Sequence, residues 1–219
     1  MKRYVDMADI SDGKYYSSGD MVKAGCNGCG SCCRGMGKSI VLDPLDVFRL
    51  TKGLKCTFEA LMNDKIELNV VDGIILPNLK MRGPSDSCAF LDDENRCRVH
   101  AYRPGICRLF PLGRYYEENS FKYFLQIHEC KNLHPSKVKI KKWLDEPELK
   151  RQETYIIRWH YFLKEIQERL DAENDDGLRR QVSLYILQKF YMEAFPVDGD
   201  FYALFESRVE EALLCLMKM

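Results

Sequence analysis

The stretch GCNGCGSCCR, residues 25–34, places four cysteines within eight positions and separates them by glycine and other small residues. Glycine lets a backbone turn tightly, so that several side chains and amides can face a single point. Chance clustering of this kind is implausible in a chain whose other features indicate a reducing compartment. We therefore interpret the stretch as a loop of metal ligands.

The spacing within this loop carries further information. Two residues lie between Cys26 and Cys29, and two lie between Cys29 and Cys32. This repeats the spacing of the first three ligands in a bacterial ferredoxin loop. Cys33 follows Cys32 directly, and neighbouring side chains diverge in extended backbone. The adjacent pair is therefore predicted to serve two centres, or two atoms of one polynuclear centre.

Further ligands must come from distant parts of the chain. The predicted ligand set joins the four loop cysteines to four later ones, namely Cys26, Cys29, Cys32, Cys33, Cys88, Cys97, Cys107 and Cys130. Zinc would use them in closed four-thiolate sites, and eight cysteines would make two such ions. An iron-sulfur cluster, for which we favour the 4Fe-4S type, would use three loop cysteines and one distant one. Both alternatives remain open.

Other candidate ligands have weaker signals. Cys215 lies on an apolar helix face and Cys56 has no ligand-like neighbour, so both are excluded from the predicted site. His100 and His128 could offer imidazole nitrogens, although a buried or surface-paired histidine is the commoner outcome.

Two arginines flank Cys107 in the segment HAYRPGICRLFP, residues 100–111. Arginine stays protonated and has no free lone pair, so Arg103 and Arg108 cannot be ligands. They are predicted to support the cofactor from outside the ligand set, by offsetting thiolate charge and donating hydrogen bonds to sulfur. The alternative is a pair of arginines on a solvated loop.

Composition excludes some classes of function. Lys plus Arg and Asp plus Glu number 33 each in 219 residues, so there is no net charge to attract nucleic acid. A local run, Lys137, Lys139, Lys141 and Lys142, alternates with apolar residues and is interpreted as a solvated face rather than a phosphate site. No stretch has the apolar length of a signal peptide or membrane span. We expect a cytoplasmic protein without membrane contact.

The helices and strands that the sequence predicts indicate an α+β fold in three parts. These are an N-terminal arm over residues 1–23, a cysteine-cluster metal-binding domain over residues 24–146, and a helical C-terminal region over residues 147–219. In the second part, helices are predicted after Asp43 and Thr57, and a hairpin turns at Asp72-Gly73. Two more ribbons are predicted to turn near residues 92–95, between Cys88 and Cys97, and near residues 117–119.

The third part has the periodicity of amphipathic helices over residues 148–170, 178–195 and 201–218. Their apolar faces should pack on one another and on the cysteine domain. A protein substrate or partner, if there is one, is expected at these helices.

A family resemblance rests on the whole pattern of cysteines and on the motif YRPxxCRxFP, residues 102–111. Residues 24–132 resemble the bacterial YkgJ-like cysteine-cluster family, which is described as a zinc- or iron-chelating domain with a CxxCxxCC motif. The resemblance implies metal chelation by these cysteines. Flagellin lysine N-methylases carry a similar cluster and act with S-adenosylmethionine, so that cofactor is implied by the resemblance alone, since only the cluster matches.

Three functions therefore remain open. The first is an enzyme, a methylase or redox protein, that depends on the metal centre. The second is a zinc-stapled adaptor without catalysis, and the third is a metal carrier. Whether the chain is an enzyme is not decided by the sequence, because it has neither a nucleotide-binding motif nor an arguable catalytic triad.

Overall fold

The structure is a computed structural model that describes residue 8 and residues 11–218. It has the predicted α+β architecture, with small antiparallel strand pairs followed by a helical C-terminal region. The strands are β1 (Met21–Ala24), β2 (Ile66–Val71), β3 (Ile74–Leu79), β4 (Met81–Arg82), β5 (Ser87–Cys88), β6 (Leu112–Glu117), β7 (Ser120–Leu125) and β8 (Ser136–Lys139). They pair as β1 with β8, β2 with β3, β4 with β5 and β6 with β7.

The helices cover the remaining regular structure. They are α1 (Pro44–Leu54), α2 (Phe58–Asp64), α3 (Gly105–Leu109), α4 (Ile140–Leu144), α5 (Leu149–Glu173), α6 (Asp176–Leu187) and α7 (Phe201–Leu216). Short 3-10 turns occupy Ser31–Cys33 and His100–Tyr102, and α6 continues into a π-helical turn, Gln188–Met192.

The predicted starts of the first two helices are confirmed. The Asp43 side chain accepts a hydrogen bond from the Asp46 nitrogen at 2.8 Å, and the Asp46 side chain accepts one from the Asp43 nitrogen at 3.2 Å, so the two form a capping box. Pro44 fills the first helical position, where its missing N–H costs nothing. The Thr57 hydroxyl accepts from the Ala60 nitrogen and begins α2.

Two of the three predicted ribbons are also confirmed. The β2–β3 hairpin turns at Asp72 and Gly73, both with positive φ, and the β6–β7 hairpin turns at Asn119 with φ 52°. The third turns at residues 92–95 as predicted but is short, with a bridge between Leu91 and Cys97 and a hydrogen bond from the Arg98 nitrogen to the Phe90 carbonyl at 2.9 Å. Cys88 lies beyond it and pairs with Met81 in β4 and β5.

The three C-terminal helices match their predicted positions to within a few residues, and they share one core with the N-terminal elements. Trp159 of α5 packs against Phe190 and Phe205, with ring centroids 5.1 and 6.0 Å apart. The same buried cluster includes Leu50 of α1 and Phe90, which follows β5. The helices therefore pack on the cysteine-bearing elements, as predicted, while the division into three parts stays a prediction.

A second, smaller cluster lies around the β1–β8 ribbon. Val22 and Ala24 turn inward with Ile140 and Leu144 of α4, and Tyr123 of β7 completes the contact. The described part of the predicted N-terminal arm thus contributes a strand to the fold. The rest of that arm, residues 1–7, 9 and 10, lies outside the described residues, as does residue 219.

Among the helices of the described chain, none combines the length and apolar character needed to cross a membrane.

Candidate metal centre

The cysteine loop follows β1 and has the tight backbone expected of it. Gly28 and Gly30 have φ of 71° and 69°, a region that favours glycine because it has no Cβ. The loop then closes into the turn Ser31–Cys33, where the Cys33 nitrogen donates to the Gly30 carbonyl at 3.0 Å. These turns change the chain direction between successive cysteines, which lets them face a common space.

Arg34 ties the end of this loop to the segment that carries Cys88 and Cys97. Its guanidinium donates to Ser87 Oγ and to Asn95 Oδ1, both at 2.5 Å, and its backbone forms a bridge with Ser87. Charge-assisted hydrogen bonds to two segments hold both against the loop. No local pattern in the sequence predicts this role, because the contacts join residues 53 and 61 positions apart.

Helix α3 presents Cys107, and two contacts fix its position. Asp46 of α1 accepts a hydrogen bond from the Gly105 nitrogen at 2.6 Å, and the Trp143 indole donates to the Leu109 carbonyl at 3.3 Å. The helix is therefore held at its start by α1 and at its end by α4.

Five of the predicted ligands line one surface cleft. Four of them, which we call the outer set, are Cys26, Cys29, Cys32 and Cys130, and the fifth is Cys107. Cys26, Cys29 and Cys32 are exposed, whereas Cys130 is half-buried. Thiol groups from the loop, from α3 and from the segment after β7 therefore share a space that is open to solvent.

Cys107 and the three remaining cysteines of the predicted ligand set are half-buried or buried. Cys88 is buried, and Cys33, Cys97 and Cys107 are half-buried. Electrostatic interactions link Cys107 with Cys88 and Cys97, and link Cys33 with Cys88 and Cys107. We call these four residues the inner set, of which only Cys107 also reaches the cleft. Cys32 interacts in the same way with Cys33, Cys97 and Cys107, so the two sets are in electrostatic contact through Cys32. That the adjacent pair serves two centres stays a prediction.

The ionisation of the thiols follows these two environments. A hydrogen bond with Cys33 lowers the pKa of Cys32 to about 6, and the charge of Arg103 acts in the same direction. A hydrogen bond with Ser31 lowers the pKa of Cys29. Burial raises the pKa of Cys88, Cys97 and Cys107. Cys29 and Cys32 therefore offer thiolate, the form that binds metal, more readily than Cys88, Cys97 and Cys107 do.

The two predicted supporting arginines have different positions. Arg103 lines the cleft, interacts electrostatically with Cys32 and Cys97, and bonds His100 Nε2 through Nη1 at 2.7 Å. The guanidinium of Arg108 instead donates to the Ala101 and Asp145 carbonyls at 3.0 and 3.4 Å. The buried Nε atoms of both arginines have no hydrogen-bond partner among the described residues. A positive donor at the cleft suits a thiolate-rich centre.

Several lining residues were not predicted from the sequence. Glu129 and Lys131 flank Cys130 at the cleft, and Trp143 forms part of its wall. For Glu129 and Lys131, the sequence signal that could have predicted their position at the cleft is that they adjoin Cys130 in the chain.

The weaker candidates lie elsewhere. Neither His100 nor His128 is among the residues that line the cleft. Cys56 packs against the main core, and Cys215 forms a side-chain hydrogen bond with Tyr185 of α6. Within residues 11–218, no group of three or more His, Cys, Asp or Glu side chains stands in an arrangement that could hold a metal ion as it is. The donors themselves fit the chemistry, since the thiols are free and the cleft collects them with a cation.

Comparison with known proteins identifies the cysteine-bearing part of the chain. Residues 25–131 match the family model CxxCxxCC, described as "Putative zinc- or iron-chelating domain", and this range contains all eight predicted ligands. No curated protein and no solved structure matches the chain. The chain therefore carries a domain of the CxxCxxCC family over residues 25–131, which confirms the family expected from the sequence.

Proposed function

We propose that the outer set, Cys26, Cys29, Cys32 and Cys130, holds a redox-active iron-sulfur cluster of the 4Fe-4S type. The observation that carries this proposal is the shared cleft, which gathers these thiols from two distant segments beside Arg103. Four thiolates are the ligand complement of such a cluster, and hydrogen bonds to its sulfurs tune its potential. The family description supports the coarser statement, which is chelation of zinc or iron.

Exposure favours a cluster over zinc at this position. Structural zinc sites are closed by four protein ligands and need no access, whereas Cys26, Cys29 and Cys32 are open to solvent. A redox centre near the surface can exchange electrons with a partner, so the open cleft has a use in the proposed function.

The inner set is proposed to bind a second metal. Cys33, Cys88, Cys97 and Cys107 are linked by electrostatic interactions and come from the loop, β5, the turn after it and α3, and of the four only Cys107 lines the cleft. A metal bound here would join these segments, which have little regular structure of their own. That binding energy would contribute directly to folding.

A zinc-stapled protein without catalysis is the second candidate, and the inner set favours it. Its enclosed position is the one that structural zinc occupies in proteins. If both sets held zinc, the helical C-terminal region would be left as the part that acts on a partner.

Anaerobic purification followed by iron, sulfide and zinc analysis tests the proposal. We expect iron and acid-labile sulfide in equal amounts, with about four of each per chain, and visible absorption that bleaches on reduction. A colourless protein with two zinc ions per chain would contradict the iron-sulfur proposal and support the zinc-stapled candidate.

A further inference from the structure

An unpaired cluster of lysines lies beside the cysteine cleft. We define the basic ribbon as residues 21–25 and 131–144, which include β1, β8 and α4. These two segments contain no aspartate or glutamate, and their six lysines are Lys23, Lys131, Lys137, Lys139, Lys141 and Lys142. All six are exposed. The chain as a whole carries no net charge, so this concentration is local.

The strand register places two of these lysines directly opposite each other. Lys23 pairs with Lys137, and Met21 pairs with Lys139, on the face opposite the buried Val22. Like charges directly opposite in an antiparallel pair destabilise it. Within the described chain, none of the six lysines forms an ion pair, although Asp20 and Asp145 lie next to the ribbon in sequence. Among the residues that the structure describes, no carboxylate therefore relieves the repulsion.

The ribbon also forms one wall of the cleft. Gly25, Lys131 and Trp143 line the cleft, and the Asn132 side chain donates to the Gly25 carbonyl at 3.1 Å. A molecule bound to the outer face of the ribbon would therefore lie next to the cysteines.

Large apolar side chains are exposed among these charges. Met21 is 49% exposed on the lysine face, and Leu133, two positions after Lys131, is 84% exposed. Protein interfaces combine an apolar centre with a charged rim that selects the partner by complementary charge. Single-stranded nucleic acid would instead need exposed aromatic rings for base stacking, and Trp143 is half-buried with its indole bonded to Leu109.

We infer that the basic ribbon is the docking surface for an acidic protein, whose carboxylates would separate the Lys23 and Lys137 ammonium groups. The apolar contacts of such a partner would fall on Met21 and Leu133. The docked protein would lie at the mouth of the cleft, where it could exchange electrons or metal with the cysteine centre. The inference does not depend on which metal the cleft holds.

Fluorescence anisotropy with the metal-loaded full chain tests the inference. The probes are a fluorescein-labelled peptide of repeated Glu-Glu-Leu units, the same peptide with serine for leucine, and single-stranded oligothymidine. Vesicles of phosphatidylserine and phosphatidylcholine are tested in parallel by sedimentation. We expect the leucine peptide to bind about tenfold more tightly than the serine peptide and more tightly than the other two probes.

Variants locate the binding. Lys23→Glu combined with Lys137→Glu should weaken binding of the leucine peptide by about tenfold or more, whereas Lys150→Glu combined with Lys218→Glu makes the same change in net charge and should not. Leu133→Ser should weaken binding of the leucine peptide and leave oligothymidine binding unchanged. Equal binding of the two peptides, tighter binding of oligothymidine or vesicles, or an equal effect of both double variants would overturn the inference.

Discussion

Asp46 Oδ1 accepts a hydrogen bond from the Gly105 nitrogen at 2.6 Å, which joins the start of α1 to the start of the helix that carries Cys107. Asp46 Oδ2 accepts from the Asp43 nitrogen at 3.2 Å, so one buried carboxyl group serves two backbone donors. The two residues are 59 positions apart. The position of Cys107 therefore depends on a polar contact inside the core.

Replacing Asp46 by alanine should loosen this arrangement. The substitution leaves the Gly105 and Asp43 N–H groups without an acceptor and removes the capping box, at a cost of about 2 kcal/mol. Urea unfolding of the metal-loaded protein measures the loss. Thr57→Ala, which removes only the cap of α2, is the control and should cost about 1 kcal/mol with no change in metal content. If Asp46→Ala kept full stability, the contact with Gly105 would have no structural role.

The same carboxyl group should make stability depend on pH. Burial, with the nearby Asp43 carboxyl group as the next cause, raises the pKa of Asp46 from 3.8 to about 8. Between these values the folded chain holds a proton that the unfolded chain has lost, so the stability of the folded state falls as the pH rises through this window.

The Asp46→Asn variant is neutral at every pH and isolates this effect. The stability of the wild-type protein relative to that variant should decline between pH 5 and pH 8, by at most about 1.4 kcal/mol per pH unit. Urea unfolding at several pH values provides the measurement. A constant difference over this range would mean that Asp46 is ionised throughout.

The two arginines beside Cys107 should have separable effects. Arg103→Ala should retain most of the metal and shift a cluster's reduction potential downward, because the loss of a nearby positive charge makes the addition of an electron less favourable. Arg108→Ala is the matched control. Its guanidinium bonds the Ala101 and Asp145 carbonyls, so its loss should reduce stability and change the potential less. Protein-film voltammetry gives both potentials, and equal shifts would contradict the difference in position.

Substitution of single cysteines should separate the two proposed centres. Cys26→Ser should remove the metal of the outer set and leave that of the inner set. Cys88→Ser should release the inner metal and lower the melting temperature, since Cys88 is buried where segments meet. Cys215→Ser, in α7, is the control and should retain both. Metal analysis together with thermal unfolding checks these outcomes, and full metal content in Cys26→Ser would show that Cys26 is not a ligand.

Arg34 should matter to the site although it cannot bind metal. Arg34→Ala removes the hydrogen bonds to Ser87 and Asn95, so the loop should separate from β5 and the inner set should bind metal more weakly. In Arg34→Lys the positive charge is kept, but the ammonium group lacks the planar fork that reaches both acceptors. This variant should therefore recover only part of the metal affinity. Competition with a chelator measures that affinity. Unchanged affinity in both variants would leave Arg34 without a role in the site.

Local signals in the sequence were sufficient for most of the secondary structure. The capping box at Asp43 and the Asp72-Gly73 turn act over a few residues, and both predictions are confirmed. The ribbon predicted to turn at residues 92–95 is present but short, because Cys88 finds its strand partner, Met81, on its other side. That choice depends on packing around the loop rather than on turn residues.

The candidate site was predictable as a list of residue types but not as an arrangement. The loop spacing identified Cys26, Cys29 and Cys32 as candidate ligands. The adjacency of Cys33 to Cys32 predicted that this pair serves two centres, or two atoms of one polynuclear centre. The pairing of β1 with β8, next to which Gly25 and Trp143 line the cleft, joins segments more than a hundred residues apart. Pairings at such separations are set by the tertiary fold, and no local pattern in the sequence encodes them.

Native mass spectrometry of the intact, anaerobically purified protein tests the central claim most directly, because the mass added to the chain identifies the bound group. The proposal predicts a species that carries one 4Fe-4S cluster, which the Cys26→Ser variant lacks while the Cys215→Ser variant keeps it. A wild-type protein that carries only zinc ions, or a cluster that survives in the Cys26→Ser variant, would contradict it.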